Sequence, residues 1–269
     1  MEFGTYETLL VEQRGSALLV SINQPASMNA LAAAVVEDLH VLTGVLSRIG
    51  VDAHWPVRGV IITGVGEKSF VAGANIVEMN DMDSAAALAY GKRMHSVTLA
   101  LESLPIPVIA AVNGFALGGG CELALACDFI YASATASFGQ PEVNLGLVPG
   151  FGGSVRLQQR VGISMARELI FTGRRIKSAE ALRIGLVNRV LEDNAALLTA
   201  AEETINEIAS KAPTAVANVK DALNEIAGLN VVDGLEAEAR SFVKAFETQD
   251  SVIGRAAFVA KSVPDFPGN

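Results

Sequence analysis

The stretch Gly114–Asp128, GFALGGGCELALACD, sets three consecutive glycines one residue ahead of a lone carboxylate, Glu122, which heads an otherwise apolar run. Glycine weakens a regular element and glutamate is costly in a core. Their pairing therefore asks for a reason beyond packing. Upstream, Val108–Val112 (VIAAV) reads as a buried strand, after Leu104-Pro-Ile-Pro107 has stopped the helix before it. Downstream, Cys121–Ala126 reads as a helix and Phe129–Ala132 as another strand. A strand, a glycine turn, a helix and a strand in succession indicate an α/β protein with mostly parallel strands.

Working outward, Thr8–Glu12 and Ala17–Ile22 read as strands around a turn at Arg14-Gly15, and Val57–Thr63 as a further buried strand. Leu31, Val35, Leu39, Leu42, Leu46 and Ile49 fall at helical spacing, with Asn29 as the expected N-cap. A second helix is expected over Ser84–Ser103. From Val155 onward nearly everything reads as helix: Val155–Val161, Ser164–Phe171, Ala179–Ile184, Ala195–Ala212, Thr214–Ile226, Val232–Phe246 and Ser251–Lys261. Lys211-Ala-Pro213 marks a break, and the chain divides into a core over 1–200 and a C-terminal helical region over 201–269. Phe242, Phe246 and Phe258 there are expected to dock on the core or on another subunit.

Composition narrows the function. The chain has 269 residues, of which 51% are hydrophobic and 18% charged, enough for a sizeable core and against disorder. A net charge of −9 with no basic block argues against a nucleic-acid partner. No apolar run reaches the roughly 18 residues that span a bilayer, and MEFGTYETLL does not read as a secretory signal, so no membrane role and a cytoplasmic location are expected. The only cysteines, Cys121 and Cys127, read as small core residues, and His40, His54 and His95 are scattered. No metal site is expected.

Several familiar glycine motifs fail. GxxxxGK[ST] is absent. GxGxxG breaks at Ser69 after Gly64-Val-Gly66, at Leu123 after Gly118 and Gly120, and at Val155 after Gly150 and Gly152. GxSxG fails around Ser154 because Arg156 stands in the closing position. Four segments remain: 69–76 (SFVAGANI), the opening stretch, 138–146 (FGQPEVNLG) and 148–154 (VPGFGGS). Two glycine turns leading into helices, brought together, aim two backbone N–H groups at one oxygen, which is an oxyanion hole. Glu122 and Glu142 would then offer acid and base beside it. Taken singly, Glu122 reads better as an N-terminal helix charge and Glu142 as a solvated loop residue.

In these segments, and in 24–31 (QPASMNAL), the sequence strongly resembles the crotonase superfamily, the enoyl-CoA hydratase/isomerase family. The resemblance spans nearly the whole chain, several motifs matching in order. It implies a crotonase-like spiral of ββα units with a C-terminal helical trimerisation region, assembled as a homotrimer or a hexamer. It implies an acyl-CoA thioester substrate, with coenzyme A part of that substrate and no separate cofactor. Carried over by position, Ala74 and Gly119 match the two oxyanion donors and Glu122 and Glu142 the paired hydratase glutamates. Glu122 would activate the water and Glu142 protonate the α-carbon. Ala26, Met28, Ala72, Asn75 and Ile76 fall at substrate-binding positions, Phe151 narrows the acyl side, and Lys68 and Lys261 are the cations left for the CoA phosphates. Gln24, Asn75 and Val77 depart from the family's usual Arg, Asp and Lys. Both glutamates favour an enoyl-CoA hydratase, a hydro-lyase, over a double-bond isomerase or C–C lyase of the same superfamily. A non-catalytic RNA-associated scaffold would need a basic face.

Overall fold

The computed structural model describes residues 2–269. The chain runs β1 (Leu9–Arg14), β2 (Ala17–Ile22), α1 (Ala33–Leu46), β3 (Gly59–Gly64), β4 (Ser69–Val71), α2 (Ile76–Met79), α3 (Ser84–Glu102), β5 (Val108–Val112), β6 (Phe115–Leu117), α4 (Gly119–Leu125), β7 (Phe129–Ser133) and β8 (Ser137–Gly139). It continues through α5 (Gly153–Val161), α6 (Ile163–Thr172), β9 (Ile176–Lys177), α7 (Ser178–Arg183), β10 (Arg189–Leu191), α8 (Asn194–Ala209), α9 (Pro213–Ile226), α10 (Val231–Phe246) and α11 (Gln249–Ala260).

Two sheets organise these elements. A six-stranded sheet has the order β1-β2-β3-β5-β7-β10, and a four-stranded one the order β4-β6-β8-β9. Only β1 and β9 pair antiparallel with their neighbours. The consecutive pairs β3–β4, β5–β6 and β7–β8 each send one strand to each sheet. The path is therefore a spiral of ββα turns, and the α/β class and spiral fold expected from the sequence are what the chain forms.

The central strands β2, β3, β5 and β7 of the large sheet are buried on both faces, as the inner strands of a mostly parallel sheet are. Val60 and Ile62 of β3 and Val108, Ala110 and Val112 of β5 face the main core, whereas Ile61, Ile109, Ala111 and Tyr131 face α8 through Leu197, Ala201 and Ile205. The two-residue period of a strand makes that division. α8 runs unbroken across residue 200 and lies on the large sheet. Pro213 opens α9, where its missing N–H costs nothing.

Three expectations are corrected. Asn29 does not cap a helix: α1 starts at Ala33 behind Ala32, and Asn29 has φ 58°. Its buried side chain instead ties three segments, accepting from Gln24 N and donating to Val65 O and Ser69 O. The short strands β4, β6 and β8, not expected from the sequence, form the second sheet with β9. Beyond Val155 the chain is not all helical, since β9 and β10 each close a sheet edge. Trp55 is an anchor, its indole N–H donating to Gly268 O and holding the C-terminal segment. Cys121 and Cys127 are buried.

α9 is locked to the core by one buried cation. Lys220 Nζ donates to Leu101 O, Ile106 O and Asp128 Oδ2, at 3.1, 3.1 and 2.7 Å. Asp128 Oδ2 also receives Val108 N. Phe242, Phe246 and Phe258 are exposed and do not dock on the core. No helix of the described residues is long and apolar enough to cross a membrane.

Candidate active site

A cleft of about 150 Å³ opens where β4, β6 and the loop ahead of α5 meet. Its lining includes Ala72, Ala74, Ile76, Gly119, Glu122, Glu142 and Phe151. Met79, Leu145, Leu147 and Val148 add apolar surface.

The glycines make this approach possible. Gly118, with φ 49° and ψ −123°, turns the chain from β6 into α4 in a conformation that side chains rarely adopt. A Cβ on Gly120 would stand 2.0 Å from Val71 O, so α4 packs backbone to backbone on β4. Gly119 opens α4, where its N–H has no intrahelical acceptor. Ala74 sits in an isolated parallel bridge with Leu31. The bridge uses Gly73 O and Asn75 N. Alternation along the strand turns the N–H of Ala74 away from Leu31. Tyr90 supports both walls: its hydroxyl donates to Leu31 O, and its ring meets Phe151 edge-on at 5.2 Å. Phe151 lies so close over Gly119 that a Cβ there would be 2.8 Å from the ring.

Glu122, 1% exposed, projects from the first turn of α4. Its Oε1 accepts Phe151 N at 2.8 Å and Gly153 N at 2.6 Å. Burial raises its pKa, opposed by those two amides and by the charge of Arg156. Glu142 sits in the short turn after Pro141, and burial, with the Glu122 charge added, lifts it to about 7. Gln140 lies beside the pair, and its amide nitrogen, placed by the hydrogen-bonding pattern, donates to both Glu142 oxygens at 2.9 and 3.2 Å. Burial thus pushes both acids up: Glu122 is partly offset by its two N–H donors and Arg156, whereas Glu142, at about 7, is close to half-protonated at neutral pH.

The remaining sequence candidates are spread around this cleft. Met28 and Lys68 line a neighbouring hollow with Pro25 and Gly66, and Ala26 lies exposed on the turn at 25–27. Asn75 caps α2, its Oδ1 accepting Val77 N and Glu78 N, as the usual Asp would. Lys261 ends α11 exposed and lines neither hollow. None of the three histidines lines the cleft. Among the described residues no His, Cys, Asp or Glu cluster could hold a metal ion. Gln140 lay inside a segment singled out from the sequence, without a role. Tyr90 and Arg156 gave no local signal, because their partners are remote in sequence.

A ββα spiral that brings two glutamates to one cleft is the framework of an enzyme. The chain belongs to the enoyl-CoA hydratase/isomerase family, whose model matches residues 12–269. It is 45% identical over 253 residues to the short-chain-enoyl-CoA hydratase of Clostridium acetobutylicum, covering 94% of this chain and 95% of that one. It is 42% identical over 261 residues to the crotonyl-CoA hydratase of Syntrophomonas wolfei, with 97% and 98% covered. The crystal structure of an enoyl-CoA hydratase from Bacillus anthracis superposes with a TM-score of 0.90 at 37% identity, covering 98% of this chain and all of the other.

Proposed function

We propose that the chain adds water across the 2,3 double bond of a 2-enoyl-CoA thioester to give a 3-hydroxyacyl-CoA. The observation that carries this is the convergence of Glu122, Glu142, Ala74 and Gly119 on one cleft. Water attacks C3 as Glu122 takes its proton. The electron pair of the double bond moves through C2 onto the thioester oxygen, forming an enolate. The N–H groups of Ala74 and Gly119 hold that oxygen, and one such donor is typically worth about 3 kcal/mol in the transition state. Glu142 then gives its proton to C2. Proton exchange with solvent restores both acids, so the net change is the addition of one water. A Glu142 lifted to about 7 suits the proton donor, and a carboxylate held by two amides suits the base.

The apolar lining from Ile76, Leu145, Leu147 and Phe151 suits a short acyl chain, and the relatives named for short-chain and crotonyl substrates point the same way. The hollow of Met28 and Lys68, beside Ala26, is assigned to the CoA portion. The exposed Phe242, Phe246, Phe258 and Val259 supply an association face for a homotrimer or hexamer, checked by light scattering of the purified protein. Incubation with crotonyl-CoA tests the reaction. Hydration abolishes the conjugated-enoyl absorbance and adds the mass of one water, with oxygen-18 entering from labelled solvent. A product of unchanged mass would assign an isomerase instead.

A further inference from the structure

We propose that Arg156 is a positioning residue for Glu122, acting through the peptide loop between Phe151 and Gly153. That loop is held from both sides. On the inside, its N–H groups at Phe151 and Gly153 donate to Glu122 Oε1. On the outside, Arg156 Nη1 donates to Phe151 O at 3.3 Å. The same guanidinium grips Glu102, the last residue of α3, with Nε to Oε1 at 2.5 Å and Nη2 to Oε2 at 2.8 Å. Gly152, at φ 110°, leaves the room this needs, since a Cβ there would lie 2.0 Å from Nη1. The fork on Glu102 fixes the guanidinium as a bidentate pair. A chain of contacts therefore runs from α3 through Arg156 and one peptide to the base.

Arg156 is little exposed, 11% at its side chain, so its charge is only weakly screened from the carboxylate behind the loop. The groups facing Glu122 are Glu142 across the cleft, the Cys121 thiol beside it on α4, and Arg156 itself. Glu102 faces Arg156, and His95 lines the outer hollow they share with Gly152 and Asn224. Removing the guanidinium both loosens the loop and withdraws the only cation in this set. Glu122 then holds its proton to higher pH.

The test compares Arg156→Met, Arg156→Lys and Glu102→Gln. Its kinetic readout rests on the hydration reading; its spectroscopic one does not. Arg156→Met is expected to lower kcat for crotonyl-CoA by roughly ten- to a hundredfold with KM little changed, as a displaced catalytic group does. The acid limb of the pH profile moves upward. The carboxyl carbon of Glu122, assigned in carbon-13 spectra by loss of its signal in Glu122→Gln, titrates at higher pH than in the parent. Arg156→Lys keeps the charge without the fork, so it restores that titration while kcat stays low. Glu102→Gln lowers kcat less than Arg156→Met. If Arg156→Met does not fold, Arg156→Gln, which also removes the charge, takes its place in the same measurements. A folded Arg156→Met with reduced kcat and an unmoved Glu122 titration would make Arg156 merely structural and overturn the proposal, as would unchanged kcat. A parent protein that hydrates no 2-enoyl-CoA would refute the proposed function, while the titration would still decide the role of Arg156.

Discussion

Phe151→Ala tests the acyl end of the cleft. The Phe151 ring is 6% exposed, stands edge-on to Tyr90 and lies over Gly119, closing the cleft beside Leu147 and Val148. Its removal lengthens the apolar channel without touching the Phe151 N–H that holds Glu122. Burying two further methylenes of a hexenoyl chain is worth about 1.6 kcal/mol, roughly fifteenfold in relative kcat/KM. The ratio of hexenoyl- to crotonyl-CoA turnover should therefore rise by about that factor. The lost ring also costs stability. The low end of the usual range, about 3 kcal/mol, applies because the ring borders the cleft on one side, and it lowers Tm by about 6–12 °C. The assay is kcat/KM for crotonyl-, hexenoyl- and octenoyl-CoA, with Phe151→Leu as a smaller step and thermal unfolding alongside. An unchanged chain-length ratio in a folded variant would show that the ring does not bound the acyl chain.

Further outcomes follow from the same contacts. Glu122→Gln and Glu142→Gln should each lower hydration by roughly 10²–10⁴-fold while the protein still binds the thioester by calorimetry; near-normal turnover in either would remove that residue from proton transfer. Hydration kcat/KM should fall as pH rises through about 7, where Glu142 loses the proton it donates, and a profile flat through that range would contradict its role. The folded state holds this proton more tightly than the unfolded chain. Its contribution to stability is therefore full below the ordinary value of 4.5 and lost as pH rises through about 7, which denaturant midpoints measured across that window report. Lys220→Met strands Leu101 O, Ile106 O and a half-buried Asp128 carboxylate, so stability should drop by about 3–5 kcal/mol, read from urea unfolding; a loss below about 1 kcal/mol would mean that the buried pair contributes little.

What the sequence disclosed follows from what repeats along it. The five-residue apolar run of β5 and the helical spacing of α1 announce themselves, because burial of a whole element leaves a pattern. The strands at Ser69–Val71, Phe115–Leu117 and Ser137–Gly139 are too short to show any period, so the second sheet went unread. Asn29 carried a helix-start signature, and only the tertiary fold, which brings Val65 and Ser69 to its amide, turns it into a tether. The glutamates and glycines of the cleft were legible as motif chemistry. Tyr90 and Arg156 were not, since the first acts on a carbonyl 59 residues away and the second pairs with a carboxylate 54 residues away.

The Lys220 lock also bears on how the polypeptide emerges from the ribosome. Asp128 and the Leu101 and Ile106 carbonyls are synthesised about a hundred residues before the ammonium that satisfies them. Until α9 clears the exit tunnel, the half-made molecule keeps an uncompensated anion at the base of β5. Translation arrested ahead of Pro213 should therefore leave a protease-sensitive nascent chain, and release of the next few dozen residues should make it resistant.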